Sequence, residues 1–249
     1  MNILFTICGR AGSKGIKNKN VREFLSKPLP LYTLSAIDLF LKKNQDIEAD
    51  ITLSTDSPEL IKIFENNPLR KVETIQRTAA LSGDTVAKIN VILDCMVQME
   101  QRKKKSFDIV VDLDITSPLR KVQDIQNLID KKMETSCDVA FSVVDSRRNP
   151  YFNMVKKEKN GYGRAISSNF VTRQEAPEIF DMNASMYAYN PDYLKSGKGV
   201  LDGYCEIIKM YDTGILDLDH EQDFELMEVI AAYLFEKDNA FGEVRQNIF

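Results

Sequence analysis

The chain has 249 residues, with 33 Lys plus Arg against 37 Asp plus Glu and a net charge of −4, a balance that argues against a general nucleic-acid binder. Its 43% hydrophobic and 28% charged residues suit a globular protein with a sizeable core. No apolar stretch approaches the length of a membrane span, and the first eight residues are too short and uncharged for a signal peptide, so the cytoplasm is the expected compartment and neither membrane nor nucleic acid an expected partner.

Strand and helix signals alternate from the start. Residues 3–8, 50–54, 71–75, 108–113 and 138–144 are short, β-rich apolar runs that read as strands. Between them, residues 31–42, 58–66, 85–101 and 122–134 read as helices. In the third of these Val86, Ile89, Leu93, Met96 and Val97 make an apolar stripe, with Thr85 near the start. The Lys103–Lys105 run that follows complements the end of its dipole. Repeated βα units with nearly continuous apolar strands predict an α/β fold, a mainly parallel, doubly wound, Rossmann-like sheet covered on both faces.

The rhythm breaks over residues 145–185, where Tyr151, Phe152, Tyr162, Phe170 and Phe180 are spread among polar residues without a helical stripe. Ribbons of this kind bury their aromatics poorly alone, so an inserted arm packing on a second subunit is expected within a single domain spanning 1–249. A last helix is read over 221–237, with Phe224, Met227, Ile230, Ala231 and Leu234 on one face. Cys8, Cys95, Cys137 and Cys205 form no C-x-x-C pair and read as small buried hydrophobes rather than a zinc or redox motif.

The chemistry is concentrated at strand ends. Directly after the first strand, Gly9-Arg10-Ala11-Gly12-Ser13-Lys14-Gly15-Ile16-Lys17-Asn18-Lys19-Asn20 brings three glycines and four cations together. Glycine lets backbone N–H groups approach a ligand, and the cations offset negative charge, which suits a polyphosphate. The spacing matches neither Walker A nor the dinucleotide Gly-x-Gly-x-x-Gly pattern. Ser54-Thr55-Asp56 closes the second strand, with Asp56 or Ser57 as candidate cap for the helix at Pro58. Residues 77–85 add hydroxyls ahead of the third helix. Asp112 to Arg120 sets two carboxylates and two hydroxyls, Asp114, Thr116 and Ser117 among them, at the end of the fourth strand. In Asp217-Leu218-Asp219, alternation puts both carboxylates on one side, a pair suited to Mg²⁺ or Mn²⁺, while Glu221 and Asp223 suit the start of the last helix. His220 is as well explained by a solvent-facing loop as by catalysis.

The ordered set Gly-Arg-Ala-Gly-Ser-Lys-Gly-Ile-Lys-Asn-Lys-Asn, Ser-Thr-Asp, Thr-Ser-Pro-Leu-Arg and Asp-Leu-Asp resembles the CMP-sialic acid synthetase family, cytidylyltransferases that make CMP-activated nonulosonic acids. The resemblance implies that Arg10, Ala11, Gly12, Ser13, Lys14, Lys19 and Asn20 bind CTP with Arg77, Ser82 and Asp84, and that Asp217 and Asp219 bind Mg²⁺. The segments Arg147–Asn153, Thr172–Pro177 and Asp181–Ser185 are most similar to bacterial CMP-legionaminic acid synthetases, which implies sugar contacts from Asp114, Thr116, Ser117, Arg148, Tyr151, Arg173, Gln174 and Asn183. The implied reaction is attack of the sugar's anomeric hydroxyl on the α-phosphorus of CTP. Arg10 and Lys14 would stabilise the leaving pyrophosphate, with Asp219 a candidate to activate the hydroxyl. A sialic acid substrate, or another sugar nucleotidyltransferase of the same fold, is the alternative.

Overall fold

The computed structural model describes residues 1–12, 15–83, 85–212, 218 and 220–248. Its frame is a run of βα units: β1 (Asn2–Cys8), α1 (Leu29–Lys43), β4 (Glu48–Thr55), α2 (Pro58–Glu65), β5 (Glu73–Gln76), α3 (Lys88–Lys103), β6 (Ile109–Leu113), α4 (Val122–Thr135) and β7 (Val139–Asp145). Between β1 and α1 a small hairpin, β2 (Glu23–Phe24) and β3 (Lys27–Pro28), turns through Leu25 and Ser26, both at positive φ. After β7 come an exposed two-stranded ribbon, β8 (Val155–Glu158) and β9 (Gly161–Arg164), then β10 (Phe180–Tyr189), α5 (Pro191–Lys195), β11 (Cys205–Lys209), α6 (Glu221–Lys237) and α7 (Asn239–Gln246).

Among the described residues seven strands form one sheet in the order β11-β7-β10-β6-β1-β4-β5. β1 pairs in parallel with β4 and β6, β4 with β5, and β7 with β11; among the described strands of this sheet only β10 runs antiparallel to its neighbours. Alternate residues of β1 feed two cores, as the period of two requires. Ile3, Phe5 and Ile7 pack with α1, α2, α4, α6 and α7, and Leu4 faces α3 and α5. The expected α/β, doubly wound architecture is present.

Three local readings differ. α3 begins at Lys88, not at residue 85, and has Ala87 at its N-cap without a side-chain cap, because Val86 lines a cleft instead of heading the apolar stripe. The stretch read as an excursion over 145–185 ends earlier: from Phe180 the chain is already a strand inside the main sheet. β11 and α7 were not read from the sequence at all. Cys95 and Cys137 are buried, Cys8 and Cys205 half-buried, and all four are free thiols. Among the described residues no helix is long and apolar enough to cross a membrane.

Candidate active site

The glycine-rich loop leaves β1 under tight constraint. Gly9 donates its N–H to the Ser54 carbonyl at 3.1 Å. A Cβ there would sit 2.6 Å from Leu60 Cδ2 and 2.7 Å from Ile115 Cδ1, so any larger residue would have to push these two side-chain ends aside between α2 and the loop after β6. Gly12, at φ +71°, takes a left-handed turn. Asp56 accepts from the Ala11 N–H at 2.7 Å, and Asn20 donates its amide to the Arg10 carbonyl at 3.1 Å. Asp56 therefore fixes the loop, and the α2 cap is Ser57, which accepts from the Leu60 N–H at 3.2 Å.

A cleft of about 390 Å³ opens over this loop at the carboxyl ends of the strands, lined by Arg10, Lys19 and Asn20, by Arg77 and Gly83 after β5, and by Lys88, Asp114 and Thr116. Such edges are where open α/β sheets bind ligands. Arg77 is buried and donates to the Ser54 carbonyl at 2.9 Å. Ser82 closes the turn beneath it by donating its hydroxyl to the Thr78 carbonyl at 3.0 Å.

The floor of the cleft is an ion cluster. Lys88 Nζ lies 2.8 Å from Asp112 Oδ2 and 2.7 Å from Asp114 Oδ2. The Thr6 hydroxyl donates to the other oxygen of Asp112 at 2.8 Å, and Asp114 Oδ1 accepts from the Thr116 N–H and hydroxyl at 2.8 and 2.7 Å. Burial alone would raise the Asp114 pKa, but Lys88 and the Thr116 donors outweigh it and hold the carboxyl at about 2. Burial would likewise lower that of Lys88, yet Asp112 and Asp114 push it well above the ordinary lysine value. The two carboxylates that stood out in the sequence thus already have their cation.

Behind this floor Arg120 is 1% exposed and makes no carboxylate pair within 4 Å among the described residues. It donates to the Ser185 hydroxyl and carbonyl and to the Asp114 carbonyl at 2.8 to 3.2 Å. Burial lowers its pKa to about 10, against the opposing pull of Asp114, Asp124 and Asp112. Ser185 is aimed by a bulge: the β10–β7 register shifts between Met182 and Tyr187, with Ala184 at φ +50°. The Ser117 hydroxyl donates to Ser185 Oγ at 2.8 Å, so Ser117 serves this network rather than a helix cap. Asn183 is buried, accepting from Ser142 and the Ser185 N–H and donating to Met210 Sδ. It lines neither cleft.

Leu218 and α6 are strapped to the segment between β1 and α1. Lys19 donates to the carbonyl of buried Leu218, Arg22 pairs with Glu221 and lies 4.3 Å over the Phe224 ring, and the Leu25 N–H donates to Glu228 at 2.7 Å. Phe24 meets Phe224 edge-on at 5.7 Å. α6 starts at Glu221 as read, with His220 at its N-cap and Asp223 accepting from the His220 N–H.

A second cleft, about 490 Å³, lies past the end of β7 and is lined by Asp145, Arg148, Arg173, Gln174, Glu178 and Lys209 among others. Arg173 donates to the Ser146 carbonyl at 2.9 Å, and Asn149 ties the segment to Pro177 at 2.9 Å. Tyr151 packs edge-on against Phe170 at 6.2 Å.

The residues read from the sequence thus fall into three places. Arg10, Lys19, Asn20, Arg77, Asp114 and Thr116 meet in the first cleft, with Ala11, Gly12 and Ser82 in its loops. Arg148, Arg173 and Gln174 meet in the second. Ser117 and Asn183 support the sheet between them. Ser13, Lys14, Asp84, Asp217 and Asp219 lie outside the described residues. Among the described residues no cluster of three or more His, Cys, Asp or Glu could hold a metal. The sequence reading missed Lys88 and Arg120; the available signal for Lys88 was a cation in the first turn of a helix, against the dipole.

Residues 4–233 match the family model for cytidylyltransferases. The chain is 35% identical over 230 residues to the post-translational flagellin modification protein B of Campylobacter coli, and 34% identical over 228 residues to the CMP-N,N′-diacetyllegionaminic acid synthase of Campylobacter jejuni. Each alignment covers 92% of this chain and 94% of the relative. Its fold is that of a CMP:2-keto-3-deoxy-manno-octonic acid synthetase solved with CTP, at a TM-score of 0.65 and 15% identity, covering 94% of this chain and 99% of the other. With a cationic, glycine-rich cleft at the carboxyl edge of such a sheet and a family match over most of its length, the chain is a nucleotidyltransferase belonging to the cytidylyltransferase family.

Proposed function

We propose that the protein transfers CMP from CTP to the anomeric hydroxyl of a nonulosonic acid, a legionaminic acid in particular, with release of pyrophosphate. The observation that carries this reading is the meeting of Arg10, Lys19, Asn20 and Arg77 in one cleft over a glycine-rich loop, in a chain whose alignment with the C. jejuni synthase runs over 92% of its length. Arg10 and Lys14 neutralise charge on the departing pyrophosphate, and the Arg173 guanidinium, near Gln174 and Arg148, matches the sugar carboxylate. Asp217 and Asp219 would hold Mg²⁺ or Mn²⁺, which supplies further neutralisation of phosphate charge when bound. Two observations support that assignment over Asp112 and Asp114: the latter pair is occupied by Lys88, and the Leu218 carbonyl is bonded to Lys19 of the loop. A homodimer joined through the arm, working in the cytoplasm, completes the reading.

Pyrophosphate release tests it. With Mg²⁺, CTP should support turnover and UTP should not, and N,N′-diacetyllegionaminic acid should outpace N-acetylneuraminic acid. Faster turnover of neuraminic acid would reassign the sugar; no release with any nonulosonic acid would refute the transfer. Asp219→Ala should abolish release while leaving the thermal unfolding transition in place, and retained activity would refute the metal assignment.

A further inference from the structure

Lys88 sits where helix electrostatics disfavour it. It is the first residue of α3, beside the positive end of the dipole, and that first turn carries no acidic side chain. Its charge is compensated from β6 instead, by Asp112 and Asp114 at 2.8 and 2.7 Å. Each of those carboxylates is itself held, by Thr6 or by Thr116. An ammonium has three donors. One donates to Asp114 and the ammonium is also ion-paired with Asp112, while the side chain stays 34% exposed and lines the cleft beside Asp114 and Thr116. Burying an ion triad gains little stability over apolar packing, so this one is better explained by what a remaining donor can reach.

The strand order says what that is. Along the carboxyl edge of the sheet, the loops after β5 and β1 bring Arg77, Arg10 and Asn20, the nucleotide side. Lys88 and Asp114 lie next, at the end of β6. Beyond them come β10 and β7, whose end borders the cleft holding Arg148 and Arg173. Lys88 therefore stands between the nucleotide side and the arm. We infer that Lys88 binds the acceptor sugar, a remaining N–H donating to a hydroxyl or carbonyl oxygen on a ring substituent, and that Asp112 and Asp114 are positioning residues acting through it. This rests on the cytidylyl-transfer reading of the cleft.

The test is steady-state pyrophosphate release by the full chain, varying sugar at saturating CTP and CTP at saturating sugar, with CTP affinity measured calorimetrically in the absence of sugar. A hydrogen bond from a charged donor is worth about 1.5–3 kcal/mol, so Lys88→Met should lower kcat/KM for N,N′-diacetyllegionaminic acid by roughly 10- to 100-fold. Its CTP affinity should stay within about twofold of wild type on the same principle, which also shows that the variant folds. Lys88→Arg should recover part of the loss. Asp114→Asn should raise the sugar KM, and combining it with Lys88→Met should cost no more than Lys88→Met alone, since both act through one contact. Unchanged sugar kinetics in Lys88→Met, or a CTP affinity that falls in step with them, would overturn the inference while wild-type turnover left the transfer reading standing. A wild type that releases no pyrophosphate would remove the transfer reading itself.

Discussion

Asp114 shows how a single carboxyl couples the site to pH. An ordinary Asp protonates near 3.8, but Lys88 and Thr116 hold this one at about 2 despite its burial. A depressed carboxyl stabilises the native state fully above the unfolded value and loses that contribution as pH falls through the folded one. The window is therefore about pH 4 to 2, and the amount on the order of 2 kcal/mol. Urea unfolding of wild type and Asp114→Asn should differ by a constant amount between pH 5 and 8, and the difference should shrink by roughly 1–2 kcal/mol on approaching pH 2.5. A gap that stays constant to low pH would mean that Lys88 does not hold the charge. Gly9 gives a steric counterpart. A methyl group there overlaps Leu60 and Ile115, so Gly9→Ala should cost about 1–3 kcal/mol of stability and displace the loop that carries Arg10. Stability equal to wild type in urea would show that the gap can open.

At the level of elements, β10 is the one strand of the main sheet, among the described residues, that runs antiparallel to its neighbours, and it carries the polar support of the site. Ser185 holds Ser117 and Arg120, and Ser142 is tied to Asn183 and the Met186 N–H. Ser185→Ala removes one hydroxyl but leaves the buried guanidinium short of a partner, a loss of about 1–3 kcal/mol. Chemical denaturation should show it, and a loss below about 0.5 kcal/mol would mean that Arg120 is satisfied by carbonyls alone. These same features explain why β10 was illegible. β1, β6 and β7 are mostly buried apolar residues and announce themselves by composition. Phe180–Ser185 does alternate apolar and polar residues, but the bulge leaves the polar Asn183 and Ser185 buried, so the alternation reads as a surface ribbon rather than as a strand of the main sheet. The cleft was legible in part for a related reason. Arg10, Asn20 and Asp114 sit in loops directly after strands, whereas the pairing of Lys88 with Asp112 and of Arg120 with Ser185 spans long separations that no local pattern encodes.

For the whole molecule, the question is what covers the arm. β8 and β9 have four residues each and among the described residues pair only with one another, and a two-stranded ribbon of that size is marginal in water. Yet the arm exposes Val155 at 67%, Tyr162 at 74% and Val171 at 79%, with Met154 and Ile166 also exposed. Lys156, Lys157 and Lys159 beside them disfavour simple edge-to-edge aggregation. A second copy meeting the arm with its own would bury these side chains under two-fold symmetry, each patch contacting its equivalent. Sedimentation velocity at micromolar concentration should therefore show a dimer. Tyr162→Asp combined with Val171→Asp, both at exposed positions outside the core, should shift it to monomer with the thermal transition of the sheet domain retained. Dissociation should also lower sugar turnover more than CTP affinity, because Arg148 and Arg173 hang on the arm side while Arg10 and Arg77 belong to the sheet. A wild type that sediments only as monomer would remove the exchanged arm, and the exposed apolar residues would then need a different partner.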